Sequence, residues 1–92
     1  MLGVGSFTLS SSNIVKVTIS VINDCNNAVY TGFYRAYAGS ANIPPLFDGG
    51  VLLFVIHYDS NSVFQYIMFN GSPAKLAIRI RFKDKWEDFK YL

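Results

Sequence analysis

Apolar and polar positions alternate with period two along most of the chain. In VKVTISV, Val15, Val17, Ile19 and Val21 fall on one face and Lys16, Thr18 and Ser20 on the other, which predicts a half-buried strand. KLAIRIRF repeats the pattern, with Leu76, Ile78, Ile80 and Phe82 predicted inward and Lys75, Ala77, Arg79 and Arg81 outward. VLLFVIHY is apolar on both faces and rich in β-formers, so it reads as a central strand or as one covered by a partner chain. SVFQYIMF sets Phe64, Tyr66 and Met68 against Val63, Gln65, Ile67 and Phe69. YTGFYRAYA is a further strand, weakened by Gly32, and GVGSFTLS offers another. The last segment, DKWEDFKYL, fits either one helical turn or a final strand.

Turn chemistry separates these segments. NDCNN and DSNS are rich in Asn and Asp, which bend the chain by bonding their own backbone. NGSP carries Asn-Gly, a strong hairpin signal. NIPPLFDGG is a longer loop, in which Pro44 and Pro45 have no N–H for a ladder. No amphipathic helix stands out. The expected fold is all-β: a small antiparallel β-sandwich or barrel-like knob.

Composition adds a partner. Of the 92 residues, 51% are hydrophobic and only 15% charged, against about 25% charged in ordinary soluble domains. A domain this short has much surface and little interior. Its surplus apolar surface points to association with copies of itself. The plainer alternative is a surface solvated by uncharged Ser, Thr, Asn and Tyr.

Charge and chemistry narrow the function classes. Net charge is +2, too small for a nucleic-acid binder. The charge is concentrated late: residues 71–92 carry six Lys or Arg against three acids. Cys25 is the only cysteine, so neither an intrachain disulfide nor a zinc set is expected. The longest apolar run, Val51 to Ile56, is far below the ~20 residues of a membrane helix. The first twenty residues lack the pattern of a signal peptide, so a soluble protein without membrane insertion is expected. GVGSFT has Thr8 where a dinucleotide fingerprint needs its third glycine. His57, inside an apolar strand, reads as structural. With no recognisable nucleophile, metal set or phosphate loop, no catalytic residue, metal or cofactor is expected. The six tyrosines and Trp86 suit either interface packing or recognition of sugar faces.

Taken in order, NNAVYTGFYRAY, ANIPP, DGGVLLFVIHY, VFQYIMF and AIRIRFKDKWEDF resemble the pyocin-knob domain of phage and pyocin tail fibres. The matching positions are Asn26 or Asn27, Gly32, Tyr34, Pro44, Gly49 or Gly50, the strand Leu52 to Tyr58, Gln65, Arg79, Arg81 and Trp86. Phe89 stands where that family usually places a second Trp, which keeps a ring but loses an indole N–H. The resemblance covers residues 26–92. Residues 1–25 are read as a β-segment that leads from a fibre shaft or caps the sheet.

The resemblance implies a homotrimeric module of a virion tail fibre, or of a phage-tail-like bacteriocin particle, made in the host cytoplasm. It implies adsorption to a bacterial surface polysaccharide or lipopolysaccharide, with threefold avidity from linked sites. The expected ligand-binding residues are Tyr34, Tyr58, Gln65, Arg79, Arg81 and Trp86. Arg79 and Arg81 share one strand face and can present guanidinium forks to carboxylate or phosphate. Alternatively they solvate that face or pair with acids of a neighbouring chain. Trp86 and Phe89 are expected to dock the tail back onto the sheet. Two other roles fit the same sequence: a fibre trimerisation element without a ligand, and a fragment of a polysaccharide depolymerase.

Overall fold

A computed structural model describes residues 17–92. The chain forms β1 (Ile19–Asp24), a 3-10 turn (Cys25–Asn27), β2 (Gly32–Ala41), β3 (Val51–Asp59), β4 (Ser62–Phe69), β5 (Leu76–Phe82), β6 (Lys85–Trp86) and β7 (Lys90–Tyr91). These strands make one sheet in the order β1-β2-β3-β4-β5-β6, and β7 also pairs with β5. The sheet curls into a half-barrel, as the all-β reading expected. Pairing is antiparallel from β2 onwards, whereas β1 lies parallel to β2. GVGSFTLS, Val15 and Lys16 lie outside the described residues.

The curl gives the sheet a closed, concave face and an open one. On the closed face β3 sends in Val51, Leu53 and Val55, β4 sends in Val63, Gln65 and Ile67, and β5 sends in Ala77 and Arg79. Three segments cover them. The crossover from β1 to β2 buries Cys25 and Ala28 completely. The loop between β2 and β3 inserts Phe47, whose ring centroid lies 5.7 Å from that of Phe69 and 5.6 Å from that of Tyr91. The C-terminal segment packs Trp86 and Phe89 against the same cluster, so it docks as expected. It forms two short strands, not a helical turn. Full burial of Leu53 and of Ile67 stabilises the fold by about 2 kcal/mol each.

Two facings differ from the sequence pattern. In β5 the inward residues are Ala77 and Arg79, while Leu76, Ile78, Ile80 and Phe82 stand on the open face. In β1, Ile22 packs against the core, and Ile19 and Val21 are exposed, as is Val17 ahead of the strand. The reason is steric and electrostatic. The concave face at β5 is crowded by the returning tail, so it takes a methyl group and a flat cation between rings. The bulky aliphatic side chains fit only on the uncrowded side.

Candidate functional site: an arginine clamp and an uncovered face

Gln65 of β4 and Arg79 of β5 are directly opposed in the ladder, so both side chains point into the closed face. Arg79 is only 7% exposed. Its Nε donates to Gln65 Oε1 at 2.8 Å and its Nη2 donates to Asn26 Oδ1 at 2.8 Å. Gln65 Nε2 in turn donates to the carbonyls of Cys25 at 2.8 Å and Ala28 at 2.9 Å. The guanidinium carbon lies 3.9 Å from the ring centroid of Trp86 and 4.3 Å from that of Phe89. One cation therefore joins strand, turn and tail through two hydrogen bonds and two cation–π stacks.

Burial lowers the Arg79 pKa to about 10, partly offset by the nearby Cys25 and Asp24, so the group stays cationic at neutral pH. The same burial pushes the Cys25 thiol up to about 11, against the pull of Arg79. Cys25 has no exposed surface. It is expected to resist a water-soluble thiol reagent at pH 8 in the folded protein and to react once guanidinium unfolds the chain. Rapid labelling of folded protein would contradict the described packing of the turn.

Asp24 ties the start of this turn. Its Oδ1 accepts from Asn26 N–H at 2.9 Å and from Asn42 Nδ2 at 2.7 Å. These bonds hold its carboxyl below the usual range. Asn26, which contacts Arg79, is thereby fixed from the other side.

The six expected ligand residues divide. Gln65, Arg79 and Trp86 come together in the clamp, and Arg81 lies beside it, 5.9 Å from the Trp86 ring. Arg79 and Arg81 do share a face, but it is the closed one, so Arg79 is not presented outward as expected. Its donors serve the fold because the Trp86–Phe89 tail returns over it. Tyr34 also belongs to the closed side, packed against the core, with its hydroxyl donating to Tyr30 O at 2.6 Å. Tyr58 stands apart on the open face, 73% exposed, with Phe64 edge-on at 6.4 Å. His57 is held by a 2.9 Å contact between its Nδ1 and Val29 O. Phe89 and Asn26 were absent from the expected ligand set although they complete the clamp. The Asn pair at Asn26 and Asn27 and the ring of Phe89 so soon after Trp86 were the available signal.

The open face is different in kind. Side chains that share it across five strands are Ile19, Phe33, Phe54, Tyr66 and Ile78, directly opposed in sequence along the ladder. The Phe33 and Phe54 rings stack at 4.8 Å, and Tyr66 follows at 6.3 Å. Among the described residues no group of three His, Cys, Asp or Glu could hold a metal ion. Compared with known proteins, the chain matches no family model, no curated protein and no solved structure.

Proposed function

We propose that this chain is the knob of a phage or bacteriocin tail fibre. It acts as a homotrimeric structural and receptor-binding module that adsorbs to a bacterial surface polysaccharide or lipopolysaccharide without cleaving it. What supports this reading is the convergence of the residues that carry the resemblance. Asn26, Gln65, Arg79 and Trp86 are spread over sixty positions, yet they meet in one hydrogen-bonded and stacked cluster. Such residues form a unit that folds together, which is why they belong to one pattern.

The saturation of Arg79 and Gln65 favours a second role, a fibre-assembly element with no ligand of its own. Glycan contact then falls to Arg81 and to exposed rings such as Tyr58, each contact weak and repeated by the trimer.

An array of bacterial surface glycans separates these roles. Binding to a subset of polysaccharides or lipopolysaccharides is the expected result. A stable oligomer that binds none of them leaves the assembly role. Release of reducing ends from host polysaccharide would overturn both in favour of a depolymerase fragment.

A further inference from the structure

The two faces of the sheet are served unequally. Turn, loop and tail all fold over the closed face, and the row through Phe33, Phe54 and Tyr66 on the open face receives no such cover among the described residues. Tyr66 lies inside this row, on a strand flanked on both sides, and is still 41% exposed. A side chain so placed stays open only where no layer lies above it.

The size of the face decides what it can bind. Five strands at about 4.8 Å spacing and about seven residues at about 3.3 Å rise give roughly 24 by 23 Å. That is about 550 Å² before side-chain relief is counted, at the upper end for the largest apolar patch of a monomer. Three such faces turned toward a common axis bury about 1,650 Å² in all, within the range of a specific assembly.

Charge decides how copies meet. Arg35 stands on the β1–β2 side of the face, exposed, with its guanidinium 5.8 Å from the Tyr37 ring. Glu87 and Asp88 stand at the opposite, β5 margin, with Lys90 beside them, around a recess floored by Tyr66 and Ile80. Arg35 on one margin and the Glu87–Asp88 pair on the other do not suit two copies stacked margin on like margin. They suit a head-to-tail contact, which gives a ring where the rotation between copies closes.

We propose that the open face is the contact surface between copies of this chain, with the Arg35 margin of one copy against the Glu87–Asp88 margin of the next. This rests on the fibre-knob reading and names the surface that reading requires. The β5 edge is already capped by β6 and β7, so the copies pack through side chains and not through a continued ladder at that edge.

The test compares sedimentation of the full chain with that of three variants. Tyr66→Lys, at a partly exposed position, is expected to give a cooperatively folded single chain. Arg35→Glu is expected to weaken association at least tenfold, and adding Glu87→Lys and Asp88→Lys to it is expected to restore association. A photo-reactive side chain at Phe64 supplies a readout that needs no destabilised variant. It is expected to cross-link to a second chain, giving a product of twice the chain mass, beyond any bond to Ile56 or Tyr58 of its own β3. An oligomer that survives Tyr66→Lys, or reversed charges that fail to restore Arg35→Glu, overturns this surface and leaves the fibre reading standing. A cross-link within one chain to residues 1–16, or to a different protein, overturns it too. A wild-type chain that sediments as a monomer at high concentration overturns the fibre reading along with it.

Discussion

Replacing Arg79 with methionine is expected to lower the unfolding free energy by about 2–4 kcal/mol, a large part of the 5–15 kcal/mol typical of a domain. Methionine fills much of the same space, so the loss is mainly electrostatic. Gln65 Oε1 and Asn26 Oδ1 lose their donor. A buried acceptor left unpaired costs about 1–3 kcal/mol. The two ring stacks on Trp86 and Phe89 go as well. Relief of the desolvation that burdens a buried cation offsets part of this, which sets the upper limit. Arg79→Lys keeps the charge but cannot span Gln65 and Asn26 with one rigid fork, so an intermediate loss is expected. Arg81→Met serves as the control: half-buried and beside the clamp, it should cost less than about 1 kcal/mol. Urea unfolding at one fixed protein concentration reads all three, since association would make apparent stability depend on concentration. Equal losses for Arg79→Met and Arg81→Met would show that the clamp does not hold the fold.

Gln65→Leu is expected to cost about 2–3 kcal/mol although leucine is apolar and similar in size. Gln65 is fully buried, and its side chain joins the Cys25 and Ala28 carbonyls to the Arg79 guanidinium. Without it the Ala28 carbonyl loses this donor, the Cys25 carbonyl keeps only the Ala28 N–H at 3.2 Å, and Arg79 Nε faces a methyl group. Because the two residues share a hydrogen bond, their losses should not add. The double variant Gln65→Leu/Arg79→Met is expected to fall short of the sum by about 1 kcal/mol or more. Strict additivity would mean that the two side chains act independently, against the 2.8 Å contact.

The clamp also explains how the last fifteen residues earn their charge and their tryptophan. Arg79 is the peg, and Trp86 and Phe89, seven and ten positions later, close over it. The dense polar composition of this segment covers its outer side, where Lys83, Asp84, Lys85 and Glu87 are exposed. The tail then seals the β5 edge through β6 and β7, which removes an unpaired ladder that would invite aggregation.

Much of this fold was legible in the sequence. SVFQYIMF coincides with β4, and VLLFVIHY falls within β3, a central strand as its two apolar faces require. The Asx-rich and Pro-rich segments mark real connections. The facing of β1 and β5 was not legible, for a definite reason. Period two tells which residues share a face, not which face is covered. Where the sheet is apolar on both sides, as at Phe54 against Val55, the alternation carries no label for inside. Arginine outward is the rule for an isolated strand, and the burial of Arg79 depends on rings that return from later in the chain. The parallel pairing of β1 was hidden too, because alternation has no direction. Of the six expected ligand residues, the three that the structure brings together hold the fold. Tyr58 was expected for its ring and lies on the open face, whose size no local pattern revealed.

The central claim is that the open face of the half-barrel is covered by further copies of this chain. Light scattering of the purified 92-residue protein tests it most directly. A mass of about 31 kDa, three times the 10.3 kDa of one chain, is the predicted result. A stable, compact particle of 10.3 kDa at high concentration would contradict it.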